Sequence, residues 1–368
     1  MPTGAPMIVA VLGGGQLGRM LGLAGVPLDI YCRFLDPLAD SPAAAVGEQV
    51  CAAWDAPGVA ERLTTGAMVA TFEFENISLA TARAVEALIP LHPRPAALAA
   101  KQDRLDEKRF LNGLGVTTAP FAAVDDRAGL DRAVAQVGLP AVLKTRRDGY
   151  DGKGQRVLRV AGDLDAAWAA LGGRPLIVEG FIGFSREVSL ISVRGRDGDV
   201  RCWPLAENEH RAGILHRSIA PAPHTEALQT QAETAARAIM SNLNYVGVLA
   251  IEFFVVGDRL IANEMAPRVH NSGHWTIEGS VTSQFTNHLR AITGLPLGDT
   301  SMRGYAAMVN LIGTIPDAKR LLALSGVHLH LYGKSPRPGR KVGHVTICAD
   351  TLDERDAMVR AVETIIST

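Results

Sequence analysis

The stretch 245-YVGVLAIEFFVVGDRLIANEMAPR-268 decides how this chain is read. Two largely apolar runs, 245-YVGVLAIEFFVV-256 and 259-RLIANEMAPR-268, flank Gly257-Asp258, a pairing that predicts a β-hairpin. Glu252 lies inside the first run and Glu264 inside the second, with Asn263 beside it. A carboxylate in a buried strand is costly unless it is paired or binds a cation. One such Glu would be read as half of a structural ion pair. Two on adjacent strands, opposite a glycine-rich loop, make an oxygen-rich site suited to Mg²⁺ carrying the phosphates of a nucleotide.

That loop lies upstream. The runs 140-PAVLKTRR-147 and 155-QRVLRV-160 read as strands joined by 148-DGYDGKG-154. This is no Walker A motif, because Gly152-Lys153-Gly154 is followed by a strand pattern and by no hydroxyl residue. A glycine hairpin between strands can fold over polyphosphate as a flap, with Lys144 supplying a fixed charge from the strand below. An ordinary flexible hairpin with solvated charges is the other reading of the loop alone. Strand patterns follow at 175-PLIVEGFI-182 and 186-REVSLISVRG-195, then a polar stretch with several histidines, then a helix over 230-TQAETAARAIMSNLN-244. Beyond the hairpin, 267-PRVHNSGHW-275 packs Arg268, His270, Asn271 and His274 together without helix or strand periodicity, which packing alone explains poorly. Arg268 could brace a transferring phosphoryl group as a bidentate donor. The two histidines do not have metal-ligand spacing.

The first hundred residues alternate strand patterns (7-MIVAVL-12, 28-LDIYCRF-34, 67-AMVATFEF-74) with helical segments, the signature of a parallel α/β sheet. Gly13, Gly15 and Gly18 form a G-x-G-x-x-G after the first strand, and Asp36 falls where a dinucleotide fold places its ribose acid. On that motif alone a dinucleotide site, a tight turn without ligand and a site for another phosphate all stay open. The proline-rich 90-PLHPRPAA-97 reads as a linker or domain edge, and 98-LAAKQDRLDEKRFLNGLG-115 as one charged helix ending at glycines. The last ~70 residues alternate strand and helix again and carry the basic loop 333-GKSPRPGRK-341.

Composition narrows the function classes. At 368 residues the chain should hold two or three domains. Lys plus Arg number 37 and Asp plus Glu 38, a balance that argues against a protein built to coat nucleic acid or an anionic membrane. With 47% hydrophobic and 20% charged residues there is ample apolar surface for a core. Apolar runs such as 305-YAAMVNLI-312 fall short of the ~20 residues of a membrane span, and 7-MIVAVL-12 runs into glycines, as a first strand does and a signal peptide does not. The 4 cysteines are scattered, which argues against a zinc site or a disulfide framework. The expectation is a soluble, cytoplasmic, multi-domain protein.

With these residues assembled, the chain resembles the ATP-grasp superfamily and, within it, the 5-(carboxyamino)imidazole ribonucleotide synthetases of purine biosynthesis. The resemblance covers nearly the whole length. It rests on 12-LGGGQLGRML-21, 72-FEFENI-77, 101-KQDRLDEK-108, 149-GYDGKGQ-155, 179-EGFIGFSREVS-189, 247-GVLAIEFF-254, 263-NEMAPRVHNSGHW-275 and 339-GRKVGHV-345. It implies an α/β ATP-grasp fold with an N-terminal Rossmann-like parallel-sheet domain (1–100), an ATP-grasp region (101–295, flap about 120–185) and a C-terminal α+β region (296–368). ATP and Mg²⁺ are the implied cofactors, and 5-aminoimidazole ribonucleotide and bicarbonate the substrates; a homodimer is expected because the two-fold dimer is the commonest closed oligomer.

The same resemblance assigns roles by residue. Arg104 and Lys144 would contact the ATP phosphates, under a loop of Gly149, Tyr150, Asp151, Gly152, Lys153, Gly154 and Gln155. Glu179, Gly180, Phe181 and Ile182 would form the hinge that reads adenine. Glu187 would accept from the ribose hydroxyls, with His210 close to the nucleotide. Glu252 and Glu264 would hold magnesium, with Asn263 beside them. The ribonucleotide pocket would draw on Tyr150, Asp151, Lys153, Arg268, His270 and Asn271, with Lys334 and Arg340 on the 5′-phosphate, Glu73 at the matching strand end and Gln16 nearby. Asp151, Lys153, Arg268 and His270 would carry the chemistry, Asp151 orienting or deprotonating the amine. The loop 333–341 is one residue shorter than the family pattern, which bears on Lys334 and Arg340. A formate-using ATP-grasp ligase, a nicotinamide-dependent dehydrogenase and a non-catalytic ATP-binding sensor are the rival readings.

Overall fold

The computed structural model describes residues 6–149 and 153–367. The N-terminal sheet consists of β1 (Met7–Leu12), β2 (Ile30–Asp36), β3 (Glu48–Cys51) and β4 (Val69–Phe72) in the order β3-β2-β1-β4, all parallel. Val9 to Leu12 on central β1 are fully buried, as a strand covered on both faces requires. The proline-rich segment is no loose linker. Leu91 bridges Ala70 in parallel and extends this sheet, and a helix starts at Pro95 with its proline in the first turn, where no backbone donor is lost.

The single helix expected over 98–115 is two, Pro95–Gln102 and Arg104–Gly113. Asp103 breaks it. Its carboxylate accepts from Leu105 N at 2.9 Å and is gripped by Arg146 Nη2 at 2.8 Å, so it caps a new helix instead of continuing the old one. The chain direction changes there, and Lys101 and Arg104 come to point at the same place.

A second sheet, the flap, consists of β5 (Phe121–Val124), β6 (Ala141–Thr145), β7 (Gln155–Leu158) and β8 (Leu176–Gly180), antiparallel in the order β5-β8-β6-β7. Helices Arg127–Val137 and Leu164–Leu171 bury Leu130, Ala133, Leu164 and Ala167 against Val124, Leu143, Leu158 and Val178 of its strands.

The largest sheet holds 9 strands: β9 (Arg186–Arg194), β10 (Val200–Cys202), β11 (Ala206–Arg211), β12 (Ile214–Ala220), β13 (Gly247–Val256), β14 (Arg259–Ala266), β15 (Tyr305–Ile312), β16 (Val327–Leu331) and β17 (Lys341–Ala349). Their order is β14-β13-β9-β11-β12-β15-β17-β16, with β10 paired to β9. Helix Glu226–Asn242 packs Ala232, Ala236, Ile239 and Met240 over Leu190, Ile251 and Phe253 on one face. On the other, Ile191, Val193 and Val248 meet Phe285, Leu289 and Ile292 of helix Gln284–Thr293, and the same core reaches Met20, Leu21 and Phe34 of the N-terminal sheet layer. Each such side chain contributes roughly 1.5–3 kcal/mol when fully buried, so this shared core is what fixes the N-terminal sheet against the large one. A polar tie crosses it: His288 Nδ1 accepts from Val248 N at 3.0 Å, and Nε2 meets Thr71 Oγ1 at 2.8 Å. Among the described residues no helix is long and apolar enough to cross a membrane.

Candidate active site

Where the three sheets converge lies a cleft of about 470 Å³. The acidic hairpin forms its floor. Strands β13 and β14 turn at Gly257, whose φ of 60° is the left-handed conformation such a turn needs, and Glu252 is registered directly opposite Glu264. On the other side of β13, Ser189 of β9 is registered with Glu252, so Ser189, Glu252 and Glu264 form one row across three strands. Both carboxylates line the cleft.

Their charges are handled differently. Burial pushes Glu264 up, but Lys101 and Arg104 outweigh it and hold its carboxyl well below the usual range. Lys101 Nζ is 2.8 Å from Glu264 Oε2 and 3.2 Å from Glu107 Oε1, while Arg104 Nη1 is 3.6 Å from Glu264. Glu252 is raised, by burial first and then by Glu264 opposite, with His210 and Lys101 pulling less strongly the other way. A divalent cation between the two would supply the missing charge. The donors present are oxygens, the set that Mg²⁺ prefers, so the residues fit that ion.

The flap side contributes cations. Lys144 and Gln155, paired across β6 and β7, both line the cleft with Gly149 and Lys153. Lys144 Nζ lies 2.9 Å from Glu179 Oε2, which also takes Lys108 at 3.2 Å, while Glu179 Oε1 is buried without a hydrogen-bond partner among the described residues. Burial lowers Lys144, and Glu179 partly restores it. Arg104 Nη2 donates to Gly149 O at 3.3 Å, linking the loop base to the acidic floor. Gly154 has φ +72°, and a Cβ there would meet Thr145 Oγ1 at 2.7 Å. Tyr150, Asp151 and Gly152 lie outside the described residues. At the expected hinge, Gly180 N donates to Pro120 O at 2.8 Å and Phe181 N to Pro140 O at 3.0 Å. The backbone donors of those two residues are therefore engaged within the protein and do not face a base, while the Phe181 residue itself lines the cleft.

Glu187 and His210 meet on adjacent β9 and β11, Nδ1 to Oε2 at 3.0 Å. Burial opposes charge on His210, but Glu187 outweighs it and raises the imidazole above its ordinary value. With Glu252 these two place ligand atoms within 4.8 Å of one another. Sequence spacing could not indicate this grouping, because its members come from three strands.

The polar segment after β14 is fixed from several sides. Arg268 Nη2 pairs with Glu75 at 2.8 Å. His270 Nε2 is 3.5 Å from Glu252 Oε1. Asn271 exchanges two amide hydrogen bonds with Asn310 of β15, at 3.1 and 2.8 Å. Gln284 clamps His270 by its backbone, accepting from N at 2.9 Å and donating to O at 2.6 Å. His274 is not presented to the cleft but fully buried, in contact with His344.

Other expected residues are placed differently. Glu73 does not line the cleft. Its carboxylate accepts from Gly15 N at 2.9 Å and Gly18 N at 3.3 Å, while Asp36 accepts from Gly14 N at 3.0 Å. The turn's donors are thus filled by the protein's own carboxylates, which leaves no place there for a dinucleotide's pyrophosphate. Glu75, two residues on, is the acid that reaches the cleft. Lys334 is hydrogen-bonded to Gln16, which lines the cleft, whereas Arg340 Nη1 is turned to Ser335 O at 3.3 Å and Oγ at 3.1 Å. Lys341, at the start of β17, lines the cleft, as the sequence reading did not expect.

Comparison with known proteins decides the family. An ATP-grasp domain matches residues 109–285, a ribonucleotide synthetase preATP-grasp domain 7–102, and a phosphoribosylaminoimidazole carboxylase C-terminal domain 306–358. The N5-carboxyaminoimidazole ribonucleotide synthase of Pseudomonas aeruginosa is 50% identical over 96% of this chain and 99% of its own. The chain belongs to the N5-carboxyaminoimidazole ribonucleotide synthase family. The crystal structure of the synthetase from Thermus thermophilus superposes with a TM-score of 0.94 at 53% identity, covering 98% of this chain and 99% of that one. The synthase from Aspergillus clavatus, solved with ADP and 5-aminoimidazole ribonucleotide, gives 0.91 at 30% identity, covering 98% and 99%. The fold read from the sequence, an ATP-grasp unit between a parallel-sheet N-terminal part and a C-terminal α+β part, is the fold of this family.

Proposed function

We propose that the protein is an ATP-dependent carbon–nitrogen ligase that carboxylates the exocyclic amine of 5-aminoimidazole ribonucleotide with bicarbonate, giving 5-(carboxyamino)imidazole ribonucleotide, ADP and phosphate. The observation that carries the residue assignment is the Glu252–Glu264 cross-strand pair on the floor of a cleft walled by Lys144, Arg104 and Arg268. Glu252 and Glu264 would hold Mg²⁺, with Asn263 beside them; when bound, the ion neutralises charge on the nucleotide's phosphates.

Bicarbonate carbon is a poor electrophile because its charge is delocalised over the oxygens. A bicarbonate oxygen attacks the γ-phosphorus and ADP leaves, forming carboxyphosphate. That intermediate breaks its C–O bond to phosphate, releasing CO₂ beside the amine; the amine nitrogen bonds to that carbon and gives its proton to the released phosphate. Lys144 and Arg104 offset charge on the transferring group, and Arg268 orients it. Because Arg268 is held by Glu75, it is aimed before substrate arrives rather than ordered on binding. Gly149, Lys153 and Gln155, which line the cleft, would help keep water from the labile intermediate. Lys334, Gln16 and Lys341 form the polar wall suited to a sugar phosphate.

The reading is tested by ADP release with Mg·ATP and bicarbonate, with and without 5-aminoimidazole ribonucleotide. Release should require both bicarbonate and the ribonucleotide, and Glu264→Gln should abolish it while leaving the protein folded. Release that ignores the ribonucleotide, or that accepts formate in place of bicarbonate, would refute the substrate assignment. The protein is further taken to be a cytoplasmic homodimer, and light scattering of the purified chain tests the dimer directly.

A further inference from the structure

Resting on that reading of the cleft, we propose that Ser272 and Ser189 are positioning residues that fix His270 in one tautomer, so that it faces the reacting anion as a hydrogen-bond donor. The warrant is the direction of three hydrogen bonds. Ser272 N lies 3.3 Å from His270 Nδ1 with donor geometry, and a backbone N–H can only donate, so Nδ1 is an acceptor. Ser272 Oγ is also 2.9 Å from Nδ1. Ser189 Oγ donates to Ser272 Oγ at 2.8 Å, which leaves the Ser272 proton to go to the imidazole. A relay of two buried hydroxyls thus ends on Nδ1. The ring's single proton must then be on Nε2.

Nε2 is the atom aimed into the cleft, 3.5 Å from Glu252 Oε1 and beside Arg268 and Asn271 along the lining. No hydrogen bond joins Nε2 to Glu252 at that distance, and an oxygen of a carboxylate or phosphoryl group entering the cleft beside them can accept its proton. Ser189 starts the relay from the same cross-strand row that carries Glu252 and Glu264, so one row of the sheet sets both the acidic floor and the proton position on His270. The Gln284 clamp fixes the backbone of His270, and the Ser272 N and Oγ contacts on Nδ1 favour one orientation of the ring.

The experiment is long-range ¹H–¹⁵N NMR on the full chain with labelled histidine, His270→Asn identifying the resonance. His270 should show a protonated Nε2 and a lone-pair Nδ1, in the free protein and with ADP and Mg²⁺. A protonated Nδ1 overturns the proposal, and no turnover enters that measurement, so it fails or stands separately from the ligase reading. In kinetics, Ser272→Ala should lower kcat about tenfold, the worth of one buried hydrogen bond, with the KM for ATP unchanged. Ser189→Ala should cost less. The effect of Ser272→Ala should vanish in a His270→Asn background. If the two effects instead add, Ser272 does not act through His270 and the relay is refuted. Should Ser272→Ala fail to fold, the Ser189→Ala/His270→Asn pair and the wild-type spectrum carry the same decision.

Discussion

Replacing Lys101 with Met tests whether the acidic floor is held by a buried counter-charge. Lys101 is only 7% exposed, and its ammonium is 3.2 and 3.3 Å from the two oxygens of Glu107, which is itself 2% exposed. Met fills similar volume but leaves Glu107 with Met265 N at 2.7 Å as its hydrogen-bond partner among the described residues and Lys108 as a weaker, more distant positive charge. Breaking a buried pair by removing one member costs about 3–5 kcal/mol, because the remaining charge is uncompensated. Glu264, at 34% exposure and still beside Arg104, should add little. Urea unfolding followed by the fluorescence of the fully buried Trp203 and Trp275 reads the loss. A second substitution sharpens the test. Glu107→Gln keeps an oxygen for Met265 N but removes the charge, so Lys101→Met/Glu107→Gln should return to within about 1 kcal/mol of the parent. The deficit of the single variant should also shrink at lower pH: burial raises Glu107, and a carboxyl raised in the folded state loses stability as pH climbs from its unfolded value toward its folded one. If Lys101→Met is within about 0.5 kcal/mol of the parent, or the double variant is worse than the single, the counter-charge argument is wrong.

The same geometry sets three further outcomes. Gly13 has φ +114°, and a Cβ on it would sit 2.5 Å from Glu73 Oε1, so Gly13→Ala should destabilise by about 1–3 kcal/mol; a thermal shift no larger than that of a surface Gly→Ala change would contradict it. Burial drives His288 from 6.5 down to about 3 and takes His274 and His344 well below 6.5. Their folded pKa values are depressed, so stability is complete above pH 6.5 and is lost below it at up to about 1.4 kcal/mol per pH unit for each ring; urea midpoints that stay flat from pH 7 to 5 would refute this. Burial lowers Lys334 to about 8 against the pull of Glu73, so its charge costs the free protein something at neutral pH. Lys334→Gln should therefore leave the melting temperature unchanged or higher while raising the KM for the ribonucleotide at least tenfold and sparing that for ATP; equal effects on both KM values would remove Lys334 from the phosphate wall.

The parts of this structure that sequence made legible are those where one physical demand dominates. Strand β1 was readable to the residue because six apolar positions run into glycines, and the hairpin of β13 and β14 because two acids interrupt two apolar runs around Gly257-Asp258. Strands β11 and β12 were not readable. Their sequences, AENEHR and ILHRSIA, serve a cleft and an ion-pair face as well as a core, so the period-2 signal is diluted. The break at Asp103 was hidden because an Asp inside a charged helical pattern reveals itself as a cap only once Arg146, 43 residues on, is brought to it. Lys101 and Glu264 are 163 residues apart, and nothing local in either segment says that they meet. Glu73 and Glu75 show the limit most plainly: both follow β4 in an acidic strand end, and only the fold tells which faces the cleft.

The glycine turn explains why a motif can be real and its usual ligand absent. G-x-G-x-x-G works in dinucleotide folds because absent side chains let backbone N–H groups converge on an anion. Here the same convergence exists, and Gly13, Gly14 and Gly15 are each too close to an acid for a Cβ, at 2.5, 2.9 and 2.9 Å from Glu73 or Asp36. The anions are Glu73 and Asp36, supplied from the ends of β4 and β2. Burial raises Glu73, and the Gly15 and Gly18 donors oppose it, which is the energetic bargain a phosphate would otherwise strike with the turn. Strand β4 is thereby pinned to the helix that follows β1, and Gln16, the first residue of that helix, is set facing Lys334 across the cleft wall. A turn with the build of a phosphate-binding one has become the hinge that positions the side of the cleft proposed to take a phosphate.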